Sequence, residues 1–579
     1  MSYNLVFTKL DDLNNDKNSL LFIDYDCLNN IVDNYFDQNF KVAKPYGYEN
    51  KDMENNFDLV KKYSNLLLED LTKILNEYHQ ISFSNKQWQI LISFWTHRTI
   101  SLLLNRFKKI EKTFEDNKIS SVTLYKSNQI DLVNLKTIDI SNNSRNLYWN
   151  NIIFDEIIKF KNIEVKKKYL DNKKKFNPEK YNKIDFVSKL KIKIKELLNF
   201  LNKRKIKEAK TLILDSCLPK VENKKFLKFY DQPNVYLKNN FKIDKKPNME
   251  LRQDLQKKLR CFDNDEFYIF IKNVIFKLFP SCYLENFQNL LKEYKESILP
   301  IKPQFIFSSN AFDTNEIFKL YVCKNLPNTK YYAGQHGGAT PIYKYGVLDT
   351  YLFNHLDGFF NWGWQDKKNN FKSFLLPKLT KVGKIKKNNK IAFMLRPMMH
   401  STETWDKFEE SLFLFKKNIE FINKCKNFSF YDKIFIKGYP SVKCKINNFE
   451  NWKKYSSVKN FDYSQLSFDE YKNSCDLNIF TYESTGFFQL ININRPTMIL
   501  FSSFNRDIKD QYKNDFNILS NVGVIHYEHD SLLKHLNKID NNINNWWYSN
   551  LVQEKINSFK KKFASDERNF QFLIEKIKL

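Results

Sequence analysis

"PQFIFSSNAFDTNEIFKLYVCKNLPNTKYYAGQHGG", residues 303–338, reads as one strand, one helix and a second strand, and that reading decides the fold. "PQFIFSSN" is a short apolar run closed by polar residues, the pattern of a strand buried on both faces. "TNEIFKLYVCKNL" carries apolar residues at helical spacing, and "KYYAGQH" is a strand running into a glycine loop. Units of this kind argue for a parallel sheet covered by helices.

The alternation continues outward from this stretch. "LDGFFNWGW" (356–364) is another strand-like segment, and "LTKVGKIKKNNK" (379–390) is basic and turn-rich, suited to a linker. Beyond it come "KIAFMLRP", a helix around 405–425, "YDKIFIKGYP", a helix around 464–475, "CDLNIFTYEST", the helical "GFFQLININ" and "PTMILFS". Two parallel-sheet domains joined near residue 385 make a two-Rossmann-like α/β architecture. The first 300 residues read mainly as helices with a few strands. They include 55–80, 84–114 with Ser84 as N-cap, a strand at "TLILDSCLP" (211–219), and a helix pair over 265–298 divided at Pro280. The expected organisation is an N-terminal domain over 1–385 with helical additions, a C-terminal domain over 386–545, and closing helices over 546–579.

Composition bounds the function. The chain has 579 residues, 42% of them hydrophobic, enough for large cores. Its longest apolar runs, such as "FYIFIKNVIFKLF" (267–279), are broken by lysine and fall short of the roughly 18–20 residues of a membrane span. The N-terminus lacks the basic-then-apolar pattern of a secretory signal, so a soluble cytoplasmic protein is expected. Eight cysteines show no CxxC pair, which predicts buried free thiols and neither a zinc site nor a disulfide framework.

The formal net charge of +28 would ordinarily point to nucleic acid or an anionic surface. Lys, Asn, Ile, Phe and Tyr are abundant here while Gly and Arg are scarce, which an AT-rich coding bias produces unaided. The segment 161–210 is the basic concentration that remains, either a solvated helical face or a contact for an anionic membrane or polyanion. No RNA- or DNA-binding motif accompanies it, so a nucleic-acid partner is not expected.

Against that bias, glycines are informative. Ten of the 11 lie between Gly334 and Gly523, three of them within "GQHGG" (334–338). A retained glycine marks a turn with positive φ or a close backbone approach to a ligand. Gly337 and Gly338 would turn their N–H groups toward an anion or a sugar, and His336 would bond a phosphate or act as acid or base, unless it is a core histidine. In "TYESTG" (481–486), Ser484 and Thr485 would form a phosphate site at a helix start or simply cap it. Tyr482 adjoins them, and Glu483 would bind ribose or donor-sugar hydroxyls. Arg396 offers a guanidinium fork for phosphate, with Lys437 and Tyr439 completing the pocket. Arg495 stands out only by the scarcity of arginine. Asp24 with Asp26, and Asp263 with Asp265, imitate metal-binding carboxylate pairs but sit in cap-like contexts. His526, Glu528 and His529 lack further ligand spacing, so no metal is expected. There is no GxxxxGK[ST], GxSxG or GxGxxG.

"GQHGG", "FNWGW" (360–364), "WQILISFWTHRTISLLLNRF" (88–107) and "FIFSSNAFDTNEIFK" (305–319) together resemble a family of bacterial transferases encoded in surface-carbohydrate and O-antigen gene clusters. More distantly, the QHG and the Ser/Thr-rich loop resemble capsule-polysaccharide synthesis proteins of GT-B fold that use CMP-linked ulosonic acids such as Kdo. The resemblance implies a cleft between an acceptor-side N-terminal domain and a nucleotide-sugar donor domain. It implies His336 by the donor, and Arg396, Lys437, Tyr439, Ser484 and Thr485 around its phosphate. "GYP" puts Tyr439 where many CMP-sugar enzymes carry histidine. The expected activity is transfer of a sugar, without a metal or other cofactor, from a nucleotide-activated donor to a glycan or lipid-linked acceptor, peripheral contact with an anionic inner membrane included. Asp313 and Glu316 are the candidate base or nucleophile, set against plain roles as N-cap and surface residue. A teichoic-acid-type polyol phosphotransferase, with His336 as base on a CDP-linked donor, and a nucleic-acid-binding protein using the basic helices are the competing readings.

Overall fold

A computed structural model describes residues 2–13, 19–46, 50–171, 186–218, 220–239, 241–338, 342–364, 388–396, 408–438, 446–464, 468–502 and 508–565. Most strands fall where short apolar runs end in polar residues. In the first half these are β1 (Tyr3–Val6), β2 (Leu20–Phe22), β3 (Lys41–Val42), β4 (Ile119–Tyr125), β5 (Lys166–Leu170), β6 (Thr211–Leu214), β7 (Phe305–Ser308), β8 (Lys330–Gly334) and β9 (Gly358–Phe360). In the second half they are β10 (Ile391–Met394), β11 (Ile434–Lys437), β12 (Phe461–Asp462), β13 (Leu477–Phe480), β14 (Thr497–Leu500) and β15 (Ile525–His526). β6, β7, β10, β13 and β14 are buried at every position, which is why they read as continuous apolar runs with no alternation.

The strands form three sheets, and every pairing within them is parallel. The four-stranded sheet runs β6-β7-β8-β9 and contains the unit read first in the sequence. The six-stranded sheet runs β12-β11-β10-β13-β14-β15, so its first and fourth strands are neighbours and the winding reverses between them. That is the doubly wound order, whose crevice lies at the carboxyl ends of β10 and β13. The α/β architecture with two parallel sheets expected over 303–502 is thus present.

The N-terminal part adds more than helices. A five-stranded sheet, β3-β2-β1-β4-β5, occupies residues 3–170, with the chain's opening residues as its central strand. Helix Asn85–Asp116 joins this sheet's layer to the next one. It starts on a capping box in which Ser84 and Gln87 satisfy each other's backbone N–H groups. It is then buried almost all round, and Gln87 donates to the Cys323 carbonyl 2.8 Å away. The pair divided at Pro280 forms as helices Glu266–Leu278 and Phe287–Glu296. The helix expected around 464–475 is shorter, Phe468–Tyr471 among the described residues, and the proposed junction at 385 lies outside them.

Several contacts among the described residues tie the lobes together. Phe36 stacks on Tyr455 with ring centroids 4.3 Å apart, while Asp33 pairs with Lys454 at 2.8 Å. Helix Asn550–Phe563 packs Phe559 against Phe488, and just past its end Ser565 N–H donates to the Trp362 carbonyl at 2.9 Å.

Candidate functional site

Three strand ends of the four-stranded sheet build one side. After β6, Asp215 and Cys217 take left-handed backbone conformations, with φ of 47° and 56°. Such conformations are costly for residues with a Cβ and persist only where the surroundings enforce them. Ser309, past β7, enforces this one: its N–H donates to the Asp215 carbonyl at 3.1 Å and its hydroxyl to the Ser216 carbonyl at 3.0 Å. The bend brings Cys217 Sγ to 3.2 Å from His336 Nδ1 beyond β8. His336 is exposed, so it is not a core histidine. Loss of solvent among the strand ends holds the Asp215 carboxyl above the usual carboxylate range, and His336 pulls it partly back. An exposed imidazole held by a thiol beside a carboxylate can accept and release a proton.

Gln335 explains why "GQHGG" and "FNWGW" occur together. Its amide nitrogen donates to the carbonyls of Gly337 and Gly338 at 2.8 and 3.0 Å. Its amide oxygen accepts from Trp362 N–H and Trp364 Nε1 at 3.0 and 2.9 Å. The side chain is buried and shapes the loop that carries His336.

The glycines serve close packing. A Cβ on Gly334 would stand 2.3 Å from Ser309 Oγ, and one on Gly338 would stand 2.6 Å from the Phe488 ring. The Gly338 N–H donates to Thr485 Oγ1 at 3.1 Å. Thr485 opens helix Thr485–Asn492 at the carboxyl end of β13, so this bond joins the carboxyl ends of the two sheets. The expectation that Gly338 would offer its N–H to a ligand is corrected: the group is engaged between the lobes. Gly337 is half-buried beside it.

The other side of the site is the reversal point of the six-stranded sheet. Thr481, past β13, donates its hydroxyl to the Met394 carbonyl at 3.0 Å and accepts the Arg396 N–H at 3.2 Å. Asn447 donates to the Arg396 carbonyl at 2.9 Å. These bonds fix Arg396 at the crevice, half-buried, with a guanidinium that bonds to no other described residue. Tyr482 and Glu483 are half-buried in the same loop. Ser484 is the N-cap, its hydroxyl accepting from Gly486 N–H at 3.0 Å.

Other candidates lie apart from this constellation. Glu316 is fully buried in helix Glu316–Asn325. Its oxygens accept from Thr137 N–H and hydroxyl, from the Tyr283 hydroxyl at 2.6 Å, and from Lys319 at 2.6 Å. A carboxylate so enclosed cannot reach a substrate, so the expectation of a base there is corrected. Asp313 is held by both terminal nitrogens of Arg98 at 2.7 Å, which keeps its carboxyl below the usual range despite the opposing effect of burial. It caps no helix, since Asn315 caps the next one. Lys437 stands beside Met394 at the carboxyl end of β11, and its ammonium is engaged by the Ser464 carbonyl at 3.0 Å and by Asp462 at 3.5 Å. Tyr439 lies outside the described residues. Arg495 is buried at the opposite, amino end of β14, bonded to Asn473.

Asp24 caps a short turn and pairs with Lys109, and Asp265 caps helix Glu266–Leu278, as cap-like contexts would have it. His526 bonds to Ser531 and Gly523, and His529 to Asn418. Among the described residues no group of three or more His, Cys, Asp or Glu is placed to share a metal ion. Most described cysteines are buried and free, Cys261 being exposed and Cys217 half-buried.

Fold and site together define a doubly wound α/β protein with a half-buried arginine at its reversal crevice and an exposed histidine on the facing lobe. By sequence it belongs to the LIC12162 family transferases, whose profile matches residues 3–576. No curated protein matches it. Several solved structures overlap parts of the chain, among them three of low identity. Spinosyn rhamnosyltransferase SpnG complexed with spinosyn aglycone is 9% identical, with 48% of this chain and 73% of that one covered at a TM-score of 0.29. Acinetobacter baumannii MurG is 10% identical, with 62% and 89% covered at 0.32. UDP-glucose: anthocyanidin 3-O-glucosyltransferase in complex with UDP is 10% identical, with 62% and 100% covered at 0.31. At such scores the fold rests on this chain's own sheet order.

Proposed function

We propose that this transferase is a glycosyltransferase of bacterial surface-polysaccharide synthesis. It takes a sugar from a nucleotide-activated donor, a CMP-linked ulosonic acid among the candidates, and passes it to a glycan or lipid-linked acceptor. The observation that carries this reading is Arg396, a half-buried guanidinium unpaired among the described residues, at the one place where a doubly wound sheet receives a ligand. A half-buried guanidinium at the carboxyl ends of parallel strands is suited to pairing with a phosphate.

In the transfer, the acceptor oxygen bonds to the anomeric carbon and the bond from that carbon to the phosphate oxygen breaks, its electron pair leaving with the nucleotide. Arg396 and the amino end of helix Thr485–Asn492 meet the charge on the departing phosphate, with no metal ion required. His336 takes the acceptor's proton, held in place by Cys217 and with Asp215 stabilising the imidazolium. Glu483 and Tyr482 face the donor's hydroxyls. The reaction takes place in the cytoplasm, at the inner face of the membrane when the acceptor is carried on a lipid.

The test is nucleotide release from a panel of nucleotide sugars. His336→Ala should bind the donor as the wild type does and lose release by about 10²-fold or more, the range of a positioned general base. Unchanged turnover in that variant would remove His336 from the chemistry.

A further inference from the structure

Helix Phe186–Leu201 is attached to the body of the protein by its polar side. Asn199, 7% exposed, donates to the Tyr236 carbonyl at 2.6 Å and accepts the Tyr236 N–H at 3.0 Å. Ile192 and Glu196, partly buried, lie on that same side. At about 100° per residue, Val187, Leu190, Ile194, Leu197, Leu198 and Leu201 fall in an arc of roughly 100° on the opposite side. All six are between 51 and 69% exposed. The helix therefore turns its apolar stripe outward, the reverse of what burial in a globular protein demands.

The flanks of the stripe say what covers it. Lys189 and Lys193 border one side, Lys191 and Lys195 the other, and helix Lys203–Glu208 continues the basic run with Lys203, Arg204, Lys205 and Lys207. Lysines in these positions can lay their stems along an apolar layer and keep their ammonium groups at its charged border. A second copy of the chain seated on the stripe would set lysines against lysines, which is unfavourable. No described helix is long and apolar enough to cross a membrane, so the contact lies in the plane of the surface.

We propose that helix Phe186–Leu201 docks flat on a lipid bilayer containing anionic headgroups, its leucines at the acyl boundary and its lysines among the phosphates. Lys195 of this helix is within electrostatic reach of Asp215 in the candidate site, so the test reads vesicle binding and needs no turnover.

The experiment is flotation of the full chain with vesicles of phosphatidylcholine alone or mixed with phosphatidylglycerol. The wild type should float with the anionic vesicles, stay down with the neutral ones, and be released as salt rises. Leu190→Ser/Ile194→Ser/Leu197→Ser, at exposed positions, should melt as the wild type does and bind anionic vesicles about tenfold or more weakly. Lys189→Gln/Lys191→Gln/Lys193→Gln/Lys195→Gln should lose the preference for anionic lipid. A wild type that ignores anionic vesicles, or a serine variant that floats equally well, would overturn the proposal. So would a stripe-dependent dimer, or salt-sensitive binding to oligonucleotides, seen in a wild type that does not float.

Discussion

His336 owes its place to residues far away in the chain. Asp215 and Cys217 reach it only because Ser309 holds the bend after β6 in a left-handed conformation. The same crowding raises the Asp215 carboxyl, with a consequence of definite sign. A carboxyl that is harder to ionise folded than unfolded subtracts stability once the unfolded chain ionises. Asp215→Asn should therefore melt like the wild type below the ordinary aspartate range and gain on it as pH rises to the raised value, then level off, while transfer falls. A variant whose stability gain is largest in acid would contradict the account. Glu316 belongs to the opposite class. Removing it by Glu316→Ala leaves Lys319, 3% exposed, without its counter-charge, and should cost about 3–5 kcal/mol in denaturant unfolding. A normally stable, inactive Glu316→Ala would restore it as the base. The sequence placed Asp313 and Glu316 together beyond one strand. It could not say which faces inward, because that is decided by Arg98 and Thr137 on distant segments.

At the scale of the element, the loop after β8 is one unit with the loop after β9. Gln335→Leu would leave Trp362 N–H, Trp364 Nε1 and the carbonyls of Gly337 and Gly338 without their partner in a buried place. Each such group costs about 1–3 kcal/mol. The variant should lose at least about 2 kcal/mol and carry a misplaced His336; a wild-type melting curve would show that the bonds contribute little. The first motif was legible in the sequence as a departure from a glycine-poor composition and the second through the family resemblance, and the strands and helices around them were legible by their patterns. Their mutual bond was not, since a single glutamine carries no pattern. The glycine loop reads in the sequence as backbone approaching a ligand, whereas Gly334 and Gly338 pack closely against Ser309, Phe488 and Thr485. The five-stranded N-terminal sheet went unread because strands such as Tyr3–Val6 and Leu20–Phe22 are too short for periodicity to separate them from loops.

At the scale of the molecule, sheet order creates the site, and order is not a local property of sequence. Strand, helix and strand announce a parallel sheet, whereas the adjacency of β10 and β13 follows from packing across nearly ninety residues. That adjacency gives Arg396 its setting and places it across the Gly338–Thr485 bond from His336. The basic segment 161–210 was legible in the sequence, whereas which face of helix Phe186–Leu201 turns outward was not. The central claim, that the reversal crevice holds the phosphate of a donor nucleotide, is tested most directly by melting the full chain with CMP, CDP, UDP, GDP, ADP and dTDP. Each would be run with and without magnesium, on the wild type and on Arg396→Ala. A ligand of the folded state raises the melting temperature by mass action. The account predicts a rise with one nucleotide class, unaffected by magnesium and lost in Arg396→Ala. No rise with any of them, or an equal rise in the variant, would contradict it.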